Sequence, residues 1–292
     1  MAVGDRVLGL SRSATERTTP GVEARAVDLL DASALAAAVR EAAPDVVYHL
    51  AALASVPASW EHPAETLREN EQATLNLLEA VCEEAPSARV VVVGSGEIYG
   101  PPDSLPVTED APLRPQNPYA VSKAAVDLLA GMYADAHGLE IVRVRAFNHA
   151  GPRQSTEYVV STLARQVAEG LEAGDDPIRV VTGNPAPRRD FTDVRDVVRA
   201  YRLLADGASP GTYNVCSGRA VSVTELLGLL REAARRELDH TVDPARVRAH
   251  EVMEVRGSSE RLRAATGWEP EIPLARTVAD TVAWWREQVA GG

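Results

Sequence analysis

With 292 residues, 45% hydrophobic and 25% charged, the chain has an ordinary soluble composition and enough length for one large α/β domain or a large and a small one. Thirty basic against forty-two acidic side chains give −12, which argues against a broad nucleic-acid surface and leaves room only for a local positive pocket. No run of about 18 apolar residues is present to span a membrane, and Met1-Ala2-Val3-Gly4-Asp5-Arg6 lacks the apolar core of a signal peptide. The isolated Cys82 and Cys216 suit the reducing cytoplasm and read as buried small hydrophobes. The six histidines show no metal-ligand spacing, so no metal is expected.

Residues 6–11 form a short apolar strand, 23–28 a second, and 30–43 an Ala-rich helix. A third strand over 45–51 is apolar throughout rather than alternating, as a sheet covered on both faces requires. A long helix covers 64–84, and Arg89-Val-Val-Val-Val93 is a strand ending in the turn Gly94-Ser95-Gly96-Glu97-Ile98-Tyr99-Gly100. A Pro-rich loop leads to a helix over 119–137 and a strand over 140–146. This alternation predicts an α/β fold with a doubly wound parallel sheet of the Rossmann type over 1–152.

The remainder, 153–292, reads as a smaller, mainly substrate-binding lid, with segments near 189–217 returning to the main sheet. Its elements are helices over 158–173, 193–204, 222–235, 258–266 and 274–288, and strands over 178–182 and 213–217. Ser222 and Glu225 form a capping box.

Tyr119 and Lys123 stand four residues apart at the start of a helix, so both side chains lie on one face. A free phenol titrates near ~10 and is a poor acid or base at neutral pH. An ammonium beside it favours the phenolate and brings proton transfer into the physiological range. Taken alone, such a pair is as common on a solvated helix face.

With this pair placed, the chain resembles the extended short-chain dehydrogenase/reductases, the NAD-dependent epimerase/dehydratase family that modifies nucleotide sugars. Five blocks carry the resemblance: Asp28-Leu29, Tyr48-His49-Leu50-Ala51-Ala52, Gly94 to Gly100, Tyr119-x-x-x-Lys123, and Arg145-Ala-Phe-Asn-His-Ala-Gly-Pro-Arg-Gln154. Three later stretches, 189–196, 213–218 and 266–270, are similar to the GDP-mannose branch, which holds GDP-mannose 4,6-dehydratases and GDP-4-keto-6-deoxy-D-mannose reductases. The family opens with a strand and a Gly-x-x-Gly-x-x-Gly turn that holds the cofactor pyrophosphate. Here Gly4, Gly9 and Gly21 are in the wrong arrangement, and residues 4–12 resemble the family's second strand. The expectation is that a first strand and helix of roughly 30 residues are missing from this sequence.

The resemblance implies roles residue by residue. Tyr119 is the acid/base; Lys123 is its partner and binds the nicotinamide ribose; Ser95 hydrogen-bonds the sugar C4 oxygen; Glu97 matches the base that removes the C5 proton in dehydratases. Gly96 offers no side chain where the 4,6-dehydratases commonly carry a polar one, which favours a reductase. Arg12, at a strand end where a basic residue accommodates a 2′-phosphate, favours NADP(H) over NAD(H), against the alternative of an ordinary exposed arginine. Asp28 and Leu29 resemble the pair that meets the adenine, and Ala51 and Ala52 let backbone pass close to the cofactor. Asn148, Arg189 and Arg248 resemble residues that bind the sugar nucleotide; Arg188, Arg195 and Arg199 read as solvated, and His149 as structural.

The expected activity is NAD(P)H-dependent reduction of the C4 keto group of a GDP-4-keto-6-deoxy-hexose, forming GDP-D-rhamnose. The alternatives are a GDP-mannose 4,6-dehydratase and a non-catalytic nucleotide-sugar-binding protein or weakly active fragment. The helices over 64–84 and 119–137 suggest, by the same resemblance, a homodimer joined through a four-helix bundle.

Overall fold

The computed structural model describes residues 4–13, 20–247 and 252–291. The chain separates into two compact units, each assembled from non-contiguous stretches: Met1–Gly94 with Pro115–Arg143, and Ser95–Arg114 with Val144–Gly292.

The first unit begins with β1 (Val7–Ser11) and β2 (Val22–Ala26), a parallel pair in which Ser11 lies opposite Ala26. Asp31 caps α1 (Ala32–Ala42) by accepting from the Ala34 N–H. After β3 (Val46–His49) comes a short helix, α2 (Val56–Glu61), then α3 (Pro63–Glu84) and β4 (Arg89–Ser95). Six residues are too few for helical periodicity to reveal α2; its marker is Ser55, whose hydroxyl accepts from Ala58 N. Pro63 opens α3 at a position where a missing N–H costs nothing.

β3 and β4 are parallel, with His49 opposite Val92, and β4 lies between β3 and β5 (Ile141–Ala146). Between β4 and β5 runs α4 (Pro118–His137), started by Asn117 accepting from Ala120 N and ended by Gly138 at φ 68. Leu35, Leu78, Val81, Val90, Ala130 and Ile141 fuse these elements into one apolar core. Among the described residues, β1 and β2 pair only with each other and share no hydrogen-bonded strand with β3.

The second unit takes the last residue of β4, a 3₁₀ turn over Gly96–Tyr99, and the Val144–Ala146 end of β5. Its further elements are β6 (Asn148–Ala150), α5 (Val159–Ala173), β7 (Ile178–Thr182), β8 (Arg188–Asp193), α6 (Val194–Gly207) and β9 (Gly211–Val215). They continue with β10 (Ala220–Ser222), α7 (Val223–Ala234), β11 (Leu238–Val242), β12 (Glu254–Val255), α8 (Glu260–Thr266) and α9 (Leu274–Ala290). β9 neighbours β5, and the capping box at Ser222 and Glu225 is present.

β8 pairs in parallel with β6 and β12 and antiparallel with β10. It escapes a hydropathy reading because four of its six residues, Arg188, Arg189, Asp190 and Asp193, are charged. Leu163, Val167, Ile178, Leu226, Leu230 and Val278 join α5, α7 and α9 over β7. Gly170 allows α5 to press on that strand, since a Cβ there would lie 2.5 Å from Ile178 Cγ2.

Parallel strands alternating with helices make this the α/β fold of Rossmann type that the sequence predicts. No described helix is long and apolar enough to cross a membrane.

Candidate active site

The residues singled out from sequence fall into two groups, one in each unit. In the first unit, Tyr119 and Lys123 lie in the opening turns of α4 and are only 8% and 5% exposed. Lys123 Nζ donates to Val93 O at 2.8 Å. Burial pushes the Lys123 ammonium down to about 8. His49 is pushed down to about 4, by burial first and by the Lys123 charge second, so at neutral pH its ring is uncharged.

A chain of buried hydrogen bonds holds this helix start. His49 Nε2 meets Thr74 Oγ1 at 2.8 Å, and Thr74 Oγ1 donates to Asn70 O at 2.8 Å. The Asn70 amide clamps Leu53 from both sides, accepting from its N–H at 2.8 Å and donating to its carbonyl at 3.1 Å. The same amide donates to Ser122 Oγ at 2.9 Å, and Ser122 donates to Tyr119 O at 2.8 Å. These polar residues escaped the sequence reading; the signal for them was Asn70 and Thr74, polar residues four apart on α3 that the structure buries.

Arg12, Asp28–Leu29 and Ala51–Ala52 follow β1, β2 and β3 respectively, at strand carboxyl ends where α/β sheets take ligands. Arg12 is exposed and pairs with Glu69 at 3.3 Å. The Asp28 carboxylate accepts from Leu30 N at 2.9 Å, and Ala51 is exposed beside half-buried Ala52.

In the second unit one cleft gathers Ser95, Gly96 and Glu97 with Ala146, Phe147, Asn148, Arg189, Asp190 and Val255. Four residues chosen from sequence thus converge from three separate segments. Ser95 Oγ accepts from Glu97 N at 3.2 Å, which fixes the start of the 3₁₀ turn, while Glu97 itself is exposed. Arg189 donates to Arg188 O at 3.0 Å and to Val252 O at 2.8 Å, so its guanidinium is braced.

Asp190 is a cleft residue that sequence reasoning missed. It accepts from Ser217 N, Ser217 Oγ, Gly218 N and Gly257 N at 2.8, 2.5, 3.0 and 3.2 Å. Burial raises its pKa, and these hydrogen bonds oppose the rise.

The three arginines read as solvated are partly exposed, and each is also ion-paired. Arg188 bonds Glu225 at 2.7 Å and Ala220 O at 2.6 Å. Arg195 pairs with Asp193 and Asp280 at 2.7 and 2.8 Å, and Arg199 with Asp196 at 2.9 Å. Asp193 and Asp196 are local partners, two and three residues away, whereas Glu225 and Asp280 come from distant segments. Cys216 is buried as expected, whereas Cys82 is only half-buried. His149 is held by its Nδ1, 3.1 Å from Phe147 O. Arg248 lies outside the described residues.

Residues 5–281 match the family described as GDP-mannose 4,6 dehydratase. The chain belongs to that family. It is 40% identical to the GDP-6-deoxy-D-mannose reductase of Pseudomonas aeruginosa over 252 residues, 84% of this chain and 82% of the relative. It is 30% identical over 262 residues to the UDP-glucose 4-epimerase of Mycolicibacterium smegmatis, 89% of this chain and 82% of that one. Among solved structures, RMD from Pseudomonas aeruginosa complexed with NADPH superposes with a TM-score of 0.85 at 36% identity, covering 94% of this chain and 92% of that one. The resemblance to the nucleotide-sugar epimerases, dehydratases and reductases therefore holds for family and for enzyme class.

A nicotinamide dinucleotide fits the residues of the first unit at its nicotinamide-ribose end. Lys123 has three N–H donors, one given to Val93 O, which leaves donors suited to vicinal ribose hydroxyls. At the pyrophosphate end, no Gly-x-x-Gly-x-x-Gly turn stands in residues 1–292.

Proposed function

We propose that this chain is a reductase that uses NADPH to convert the C4 keto group of GDP-4-keto-6-deoxy-D-mannose to the alcohol, giving GDP-D-rhamnose. The observation that carries the reading is the buried Tyr119–Lys123 pair at the start of α4, with Lys123 tied to Val93 O at 2.8 Å. Val93 is two residues before Ser95 in the same strand. The identity to the Pseudomonas aeruginosa reductase supports the choice of substrate.

A bound reduced nicotinamide supplies the hydride; the proton must come from the protein. Tyr119 delivers it to the C4 oxygen, and the Lys123 ammonium stabilises the phenolate left behind. Ser95 orients the C4 oxygen by a hydrogen bond. Asn148 and the braced Arg189 guanidinium take the sugar and the diphosphate, the latter by the planar fork that matches phosphate oxygens.

A second reading, 4,6-dehydration of GDP-mannose, is favoured by the Glu97 carboxylate exposed in the cleft. Gly96 weighs against it, since a Cβ there would lie 3.1 Å from the Phe147 ring. Arg12 at the end of β1 supports NADP(H), although it must leave or share Glu69 to hold a 2′-phosphate. A homodimer through α3 and α4 is supported by exposed Leu128 and Met132, four residues apart on α4 and 62% and 51% exposed; sedimentation tests it. The expected compartment is the cytoplasm, where the two free cysteines stay reduced.

The deciding assay offers two pairs, GDP-mannose with NADP⁺ and the 4-keto sugar with NADPH. The reductase oxidises NADPH with the second pair and leaves the first unchanged. Conversion of GDP-mannose to a 4-keto sugar, with no consumption of NADPH by the second pair, refutes it.

A further inference from the structure

Beneath the cleft of the second unit lies a polar cluster with no role in the chemistry above. Tyr99, Arg145 and Asn214 are 1%, 6% and 0% exposed. Arg145 donates to Tyr99 Oη at 2.9 Å, and Tyr99 Oη donates to Asn214 Oδ1 at 2.7 Å. Asn214 Nδ2 then donates to Val107 O at 3.0 Å, while Asn214 N donates to Glu109 Oε1 at 2.8 Å. Arg145 also donates to Glu109 O at 2.9 Å and lies over the Tyr99 ring, 5.1 Å from its centroid.

The directions in this chain are forced. Arginine can only donate, so the phenol oxygen accepts from it and sends its own hydrogen to Asn214 Oδ1. The amide of Asn214 is then oriented with its nitrogen toward Val107 O. Burial pushes the Tyr99 phenol up to about 12, so it remains a neutral donor. Burying a guanidinium, a phenol and an amide costs more than an apolar cluster of the same volume, and such networks are attested where they fix a register.

Their places in the chain show which register. Tyr99 ends the 3₁₀ turn that begins at Gly96, two residues beyond Glu97. Arg145 lies in the strand that leads to Phe147 and Asn148. Asn214 precedes Val215, whose carbonyl accepts from Phe147 N at 2.9 Å. The two walls of the cleft, 95–97 and 146–148, are thus joined through one phenol.

We propose that Tyr99, Arg145 and Asn214 are positioning residues that set the separation of these two walls, and so the fit of the sugar ring between Ser95 and Asn148. The inference rests on reading this cleft as the sugar site. The diphosphate end is held by Arg189 on β8, which is braced by Arg188 O and Val252 O.

The test compares the parent protein with Tyr99→Phe, which keeps the ring and removes only the hydroxyl. Calorimetry with GDP and with GDP-mannose, well below each melting temperature, reads the effect. Loss of one buried hydrogen bond predicts GDP-mannose binding about fivefold weaker, with GDP affinity held within about twofold. Arg145→Lys, which keeps the charge but loses the planar fork, is expected to fall between the two and serves if Tyr99→Phe does not fold. A fall in melting temperature with an unchanged ratio of the two affinities marks a purely structural cluster and overturns the proposal. So does a variant crystal structure in which Ser95 and Asn148 keep their parent separation, whether or not ligands bind. The proposed function fails separately, when the parent does not reduce the 4-keto sugar.

Discussion

Lys123 offers a test in which stability and activity move in opposite directions. Its ammonium is 5% exposed, and burial lowers it from 10.5 to about 8. At about 1.4 kcal/mol per pKa unit, holding the charged form in the folded, nucleotide-free protein at pH 7 costs about 3 kcal/mol. The Val93 carbonyl returns about 1 kcal/mol of this through its hydrogen bond. Lys123→Met, similar in volume and uncharged, should therefore stabilise the nucleotide-free protein by about 2 kcal/mol at pH 7 while removing nearly all turnover.

The pH dependence has a definite sign. Between about 8 and 10.5 the unfolded lysine holds a proton that the folded one has lost, so parent stability rises with pH across that window. The advantage of the methionine variant should shrink over the same interval. Urea titrations of both proteins at pH 7 and near the top of the window measure the difference directly. A variant less stable than the parent at pH 7, or one whose advantage does not change with pH, refutes the burial of a charged Lys123.

Tyr119→Phe should lower kcat for the 4-keto sugar by about 10²–10⁴-fold, the range for loss of a general acid, with NADPH affinity measured by fluorescence unchanged. Arg189→Met should weaken GDP binding about tenfold or more, as removal of a charge-assisted contact does, and Arg189→Lys should not restore it because an ammonium lacks the planar fork; calorimetry with GDP reads both. Gly170→Ala places a methyl 2.5 Å from Ile178 Cγ2 and should cost about 1–3 kcal/mol in denaturant titration with little change in KM.

Much of the first unit was legible because local rules govern it. Strands such as Arg89–Ser95 are apolar runs, and α4 has a proline at its first turn and a glycine at its end, signals that sit within a few residues of what they control. The second unit yielded less. β8 is built on charged residues whose partners, Glu225, Ser217 and Gly257, lie far along the chain, so hydropathy carries no trace of it. Likewise Arg188, Arg195 and Arg199 pair with Glu225, Asp280 and Glu271, partners that no local spacing reveals.

By itself the sequence determined the alternation of strands and helices and the pairing of Tyr119 with Lys123 on one helical face, since both follow from spacing along a regular backbone. It also carried the motif blocks that place the chain in its family. Only the tertiary structure decided what surrounds them. Burial lowers Lys123 to about 8, and a cleft draws Ser95, Glu97, Asn148 and Arg189 from three distant segments. Asp190, Tyr99, Arg145 and Asn214 acquire their meaning there too. Desolvation and hydrogen-bond partners belong to the packed interior, and no stretch of sequence contains them until the chain has closed on itself.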